Sequence, residues 1–186
     1  MPTLVTRQQY FEGAIEILSS QGAGGLQVTK LCKVVGASTG SFYNYFRNWK
    51  DFVDQFLKNW RQELTKQLIE AAELVDEPAE RFRKLTMIAM TVPHEAEAAI
   101  RAWSKFDSAV EAVQREVDEL RLGLIRRAVL NASPGDPEAD RLATLGYAIV
   151  VGVQQLQAPI DLEDLKWSLE RYVEIVLARS GISSEG

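Results

Sequence analysis

The sequence predicts an all-α protein, and three observations carry that reading. Apolar residues recur at helical spacing along nearly every segment, turn formers punctuate the chain at helix-length intervals, and capping residues stand where the segments begin. Val28, Leu31, Cys32 and Val35, at i, i+3, i+4 and i+7, illustrate the first; Gly36, Pro93 and Pro159 the second; Thr6, Ser38 and Asp161 the third.

The elements follow in order. Thr6-Arg7-Gln8-Gln9 has the form of a capping box, so helix 1 begins there. Tyr10, Phe11, Ala14, Ile17 and Leu18 give it an apolar face, and Gln21-Gly22-Ala23-Gly24-Gly25 ends it. Helix 2 runs from about Val28 to Val35 and stops at Gly36, placed as a left-handed cap. Ser38 then caps a short helix from Thr39 to about Phe46. Two short helices joined by so tight a turn form a helix-turn-helix, whose second helix suits the DNA major groove. Helix 1 is expected to pack across both.

Phe52, Phe56, Trp60, Leu64 and Leu68 predict one long helix from about Trp49 to Val75, its face widened by Leu57, Ile69 and Ala72. Asp76-Glu77-Pro78 breaks it and starts the next, because proline is accepted in a first helical turn. Phe82, Leu85, Met87, Ile88 and Met90 follow, up to Pro93. A helix from about His94 to Lys105 contains Ile100 and Trp103, with Phe106 just beyond. Val110, Val113, Val117, Leu120 and Leu124 line one side of an amphipathic helix ending near Asn131.

Residues 132–137, ASPGDP, are a loop. Glu138 to Leu156 includes YAIVVGVQQL, which by β-branched content alone reads as a strand; Leu142, Leu145, Ile149, Val153 and Leu156 keep helical spacing through it and make it a helix. Asp161 caps the last helix, with Leu162, Leu165, Leu169, Tyr172, Val173 and Val176 as its stripe. Residues 145–156 are apolar nearly all round, so that helix has neighbours on more than one side. Gly146, Ala148 and Gly152 permit close approach, either within a single-chain core or to a second subunit.

Composition narrows the function classes. The 186 residues suffice for one domain or two small ones, and 46% apolar content indicates a folded soluble protein. One cysteine, Cys32, excludes an internal disulfide, no Cys/His cluster suggests zinc, and a cytoplasmic location is expected. MPTLVTRQQYFEG lacks a signal pattern, and no apolar run approaches the ~20 residues needed to cross a membrane.

The net charge of −5 argues, taken whole, against a nucleic-acid binder, but its distribution points the other way. Residues 1–60 hold six Lys/Arg and four Asp/Glu, hence +2; the remainder holds 15 against 22, hence −7. No acid occurs from Ile17 to Lys50, so this stretch can approach phosphates without local repulsion.

Gly36-Ala37-Ser38-Thr39-Gly40-Ser41-Phe42-Tyr43-Asn44-Tyr45-Phe46 resembles, at nearly every position, the Gly-Val-Ser-x-Gly-(Ser/Thr)-(Leu/Phe)-Tyr-x-(Tyr/His)-Phe run of TetR-family transcriptional regulators. The resemblance is close over Leu26–Phe52 and elsewhere extends only to the all-helical layout. It implies an N-terminal three-helix DNA-binding head with the helix-turn-helix, residues 1–48, and a C-terminal helical ligand-binding and dimerisation domain, residues 49–186. It also implies a homodimer, joined by the last two long helices, that binds a near-palindromic double-stranded operator as a repressor and is released by a small-molecule effector. No cofactor or metal is implied.

Carried over by resemblance, Ser38, Thr39, Gly40, Ser41, Tyr43 and Asn44 present the reading face, with Tyr45 and Lys50 towards the DNA backbone. Phe42 and Phe46 belong to the core, and Gly40 allows either close approach of DNA or tight internal packing. Thr6, capping helix 1, is placed near a phosphate, which a helix N-terminus favours. Two positions depart from the pattern: Gln27 stands where the family has a threonine cap, and Trp49 where it has a phosphate-binding lysine. Met87, Met90, Trp103, Phe106 and Tyr147 are candidate pocket walls, with Gln154 or His94 as polar contacts; ordinary core or surface roles are the alternative for each.

Catalysis is disfavoured. The one histidine, His94, stands beside Glu95 and Glu97 at a helix start, and nucleophile-elbow, phosphate-loop and paired-histidine metal motifs are missing. The remaining alternative is a helix-turn-helix protein acting mainly as a protein-interaction or architectural module.

Overall fold

The computed structural model describes residues 5–73, 77–156 and 159–179, the side chains of 67–73 excepted. The expectations for Leu68, Ile69, Ala72, Val75 and Asp76 lie outside the described residues. The elements are α1 (Arg7–Gln21), a 3-10 turn (Ala23–Gly25), α2 (Val28–Val35), α3 (Thr39–Tyr45), α4 (Trp49–Glu73), α5 (Pro78–Thr91), α6 (His94–Trp103), α7 (Ser108–Ala132), α8 (Ala139–Leu156) and α9 (Leu162–Arg179). Among the described residues there is no strand, and YAIVVGVQQL is helical. None of the helices described is long and apolar enough to cross a membrane.

Capping side chains explain where several of the helices begin. Thr6 and Gln9 form the reciprocal capping box of α1. Glu77 accepts from the Ala79 and Glu80 N–H groups, with Pro78 in the first turn of α5. Asp107 accepts from Ala109 and Val110 at the start of α7, and Asp161 from Glu163 and Asp164 at that of α9. Gly36, at φ +69° and ψ +32°, closes α2 in the left-handed region that glycine enters without a Cβ penalty.

The chain forms two compact units, with the cuts falling inside α4, between α5 and α6, and inside α7. The first holds the chain up to Gln62 together with Pro93–Gln114. Here α1 packs against α2 and α6, and its buried Tyr10, Phe11, Ile17 and Leu18 meet the apolar faces of the neighbouring helices. At Gly13 α1 lies close against α2: a Cβ there would fall 2.7 Å from Val35 Cγ1. Phe42, Phe46, Phe52 and Phe56 complete an aromatic core around Tyr10 and Phe11. Each such ring contributes roughly 1.5–3 kcal/mol by leaving water.

The second unit holds Glu63–Val92 and the chain from Arg115 on. Within it α9 packs on both α5 and α8. Phe82, Val129, Leu142, Tyr172 and Val176 centre one apolar cluster, and Val150, Leu165 and Leu169 a second. The loop before α8 is tied to the end of α9, where Arg179 donates to Asp136 (Nε–Oδ2 3.0 Å) and to Glu138 (Nη2–Oε2 2.8 Å).

Candidate functional site

The helix-turn-helix is built from its buried side inward. Phe42 and Phe46, one turn apart on α3 and its C-terminal cap, are fully buried, with ring centroids 4.9 Å apart. That leaves Thr39, Gly40, Tyr43 and Asn44 on the solvent face of the same helix, with Tyr43 55% exposed. Ser38 caps α3 by accepting from the Ser41 N–H at 3.1 Å. Ser41 is half-buried, and its Oγ accepts from the Tyr10 hydroxyl at 3.2 Å. Tyr45 is half-buried with its ring 5.9 Å from that of Tyr10.

Gly40 has no packing reason to be glycine. A Cβ there would meet only Ser38 Oγ, at 3.7 Å, and its φ is not positive. The tight-packing alternative for this residue is therefore not supported by its surroundings.

The flanks are equally well defined. Gln27 occupies the N-cap of α2 without a side-chain capping bond; its Nε2 reaches Gly24 O at 3.5 Å. Trp49 is half-buried and stacks on Phe42 at 6.3 Å, with Phe52 at 5.0 Å. Its ring extends the aromatic core, which accounts physically for an indole at a surface-adjacent position. Lys50 is exposed, and its Nζ lies 2.7 Å from Asp54 Oδ2. Arg47, immediately after α3, is also exposed; its backbone N–H and guanidinium both donate to Asp51. The first of these bonds is the leading reason that the Asp51 carboxyl sits below the usual range.

In the second unit α4, α5, α7, α8 and α9 line a partly open cavity of about 80 Å³. Its walls are mostly aliphatic and aromatic, Phe82, Leu85, Leu124, Ile125 and Val150 among them. Its polar groups are Thr86, Arg121, Tyr147 and Tyr172. Tyr147 donates to Asp118 Oδ1 at 2.7 Å and accepts from Arg121 Nη1 at 3.4 Å. The Arg121 guanidinium also lies 5.9 Å from the Tyr147 ring centroid, within cation–π reach. The Tyr172 hydroxyl is buried and, among the described residues, has no hydrogen-bond partner.

A TetR transcription regulator from Haloarcula marismortui superimposes with a TM-score of 0.76 at 16% identity, covering 92% of this chain and 96% of that one. A TetR-family regulator from Streptomyces coelicolor does so at 0.75 and 13%, covering 92% and 94%. The fold is that of TetR-family transcription regulators. The regulator FadR from Bacillus subtilis, solved in complex with stearoyl-CoA, matches at 0.69 and 14%, covering 94% of this chain and 99% of that one. No family model matches the sequence, and neither does any curated protein.

Within this TetR-like fold the candidate residues fall into separate groups. Thr39, Gly40, Tyr43 and Asn44 share one exposed face; Ser38 and Thr6 are caps at exposed helix starts; Ser41 and Tyr45 sit at the edge of the aromatic core. Of the candidate pocket walls, Tyr147 lines the cavity. Met87 is 67% exposed, Met90 packs against the Val150–Leu165–Leu169 cluster, and Gln154 is buried; none of the three lines the cavity. Trp103, Phe106 and His94 belong to the first unit, where Phe106 is 92% exposed and His94 is buried. Arg121 and Tyr172 were not among the sequence candidates. Tyr172 reads in sequence as one more member of the α9 stripe, and nothing in its spacing distinguishes it.

Proposed function

We propose that this chain is a ligand-responsive, TetR-like transcriptional repressor that binds a near-palindromic operator as a homodimer and is released by a small molecule. The observation that carries the reading is α3: four small or polar residues face solvent while Phe42 and Phe46 anchor the helix from behind. A reading helix needs that division, because base-edge contacts require fixed side chains. Gly40 adds to it, since an exposed helical glycine with no packing role leaves room for a groove wall. In this reading Ser38, Thr39, Gly40, Ser41, Tyr43 and Asn44 contact bases or their sugar edges. Thr6, Tyr45 and Lys50 contact phosphates, and Arg47 joins them. Residues 1–48 act as the head and 49–186 as the effector and dimerisation domain.

Dimerisation is supported by apolar side chains left on the outer faces of α8 and α9. On α8 these include Leu145, Ala148 and Leu156, and on α9 Leu162, Trp167 and Ile175. Pairing such faces in a two-fold dimer would set the reading helices about 34–36 Å apart, matching successive major grooves. The effector would act by favouring one separation of the heads over another. The cavity, together with the stearoyl-CoA complex of the Bacillus subtilis protein, supports a ligand for the second unit.

Selection of bound fragments from random DNA by the purified chain tests the proposal. Enrichment of one inverted repeat is expected, with a cross-linked mass of twice the chain. Enrichment of nothing, alongside retained binding to a protein partner, would replace it with the adaptor reading.

A further inference from the structure

We propose that Tyr172 is the hydrogen-bond donor that selects the effector, and that the effector is an uncharged, largely apolar molecule carrying an acceptor such as a carbonyl oxygen. This deepens the regulator reading and rests on it for the word effector, though not for the binding itself.

Tyr172 is 4% exposed, its Oη has no hydrogen-bond partner among the described residues, and the residue lines the cavity. A buried hydroxyl without a partner is rare because its desolvation goes uncompensated. Burial also pushes the phenol above the ordinary tyrosine range, so it remains a donor at any physiological pH. Its position is set by Gly146 on α8, where a Cβ would fall 2.5 Å from Tyr172 Cζ and 2.9 Å from Oη. Gly146 itself lines the cavity, so the phenol tip stands at the α8 wall of the same space.

The other polar groups explain why the ligand is uncharged. Arg121 brings the one formal charge among the described cavity-lining residues, and it is engaged with Tyr147, whose hydroxyl is bonded in turn to the Asp118 carboxylate. Cation and carboxylate thus meet through one phenol, and a charged ligand would have to disrupt that arrangement. The remaining walls are apolar enough to take hydrocarbon. The volume of about 80 Å³ lies below the ~150 Å³ of an apolar cavity that takes benzene, so the portion of a ligand held within it is small.

The test uses the full chain without DNA and a series of 2-alkanones from 2-butanone to 2-nonanone, each beside the 2-methyl-1-alkene of matching length and shape. Binding is followed by calorimetry and by backbone amide shifts. At the best length the ketone should bind about tenfold more tightly than its alkene, the weight of one hydrogen bond. Tyr172→Phe should abolish that preference without lowering the melting temperature, and alkanoates should bind no better than the alkenes. Equal binding of ketone and alkene, a preference that survives Tyr172→Phe, tightest binding by an alkanoate, or no binding by any ketone would each overturn the assignment. DNA selection fails or succeeds separately: an enriched inverted repeat with no ketone preference sinks only Tyr172, and ketone selectivity without enriched DNA sinks only the regulator.

Discussion

The Tyr10 hydroxyl donates to Ser41 Oγ across 3.2 Å, joining the core of α1 to the first turn of α3. The Tyr10 ring meets Phe42 and Phe46 edge-on, at 5.7 and 5.6 Å, so one residue holds α3 by both packing and polarity. Tyr10→Phe keeps the rings and removes the bond. It should lower stability by about 1 kcal/mol in urea denaturation; an unchanged midpoint would mean that Ser41 finds another donor at no net loss.

Gln27 is the weakest cap in the head. Its backbone is extended and ready to cap α2, yet the side chain makes no capping bond. Gln27→Thr should stabilise the protein by roughly 0.5–2 kcal/mol. A melting temperature equal to that of the parent chain would defeat this expectation.

Lys50 bears on the phosphate contacts. The aromatic core occupies Trp49, leaving Lys50 as the neighbouring cation, paired with Asp54 on the solvent side of α4. Exposed pairs of this kind contribute about 0.3–0.5 kcal/mol, little enough for a phosphate to replace the carboxylate. Lys50→Ala should weaken binding to all DNA sequences alike and reduce the salt slope by about 1. An unaltered slope would leave Lys50 with Asp54 and assign the contact elsewhere, with Arg47 the next residue to vary.

Gly146→Ala would press a methyl group against the Tyr172 ring, which is held by Phe82 at 6.2 Å on another side. The loss should be about 1–3 kcal/mol, as for other overpacked cores. In the Tyr172→Leu background the same substitution should cost less, because the closest atoms are gone; additive losses in a double-mutant cycle would refute the contact.

Acid should loosen the junction between the loop before α8 and the end of α9. Arg179, first, and then the Glu138 N–H hold the Asp136 carboxyl below the usual aspartate range. A depressed carboxyl contributes stability above its unfolded pKa and loses it as pH falls through the folded value. Asp136→Asn should therefore be destabilising at neutral pH, with the difference from the parent narrowing only below the ordinary aspartate range near ~3.9. A difference that narrows instead between pH 8 and 6 would point to another group.

Much of the fold was legible because its signals are local. Thr6 with Gln9, Gly36, Ser38 and Asp161 act within a few residues of themselves, and each caps or closes the helix its sequence position suggested. Helical spacing likewise outweighed β-branched content in α8, yet of the expected stripe only Leu142 is buried; Ile149 and Val153 are half-buried, and Leu145 and Leu156 are exposed. Spacing says less about what a buried face meets. Val28 and Val35, expected on the buried face of α2, are only half-covered, whereas Leu31 and Cys32 between them are buried.

By itself, then, the sequence determined the order of the helices and most of their caps and stops, along with the match of Gly36–Phe46 to a known reading motif. Those properties depend on backbone preferences and on neighbours within one or two turns. Tertiary structure alone decided which apolar faces line a cavity and which stay bare. It brought Arg121, Gly146 and Tyr172 to one cavity, absorbed Trp49 into an aromatic core, and left Gly40 with open space and Phe106 in solvent. A helical stripe records that a residue turns inward; only the packing of distant helices determines whether it meets a side chain, an unpaired hydroxyl or room for a ligand.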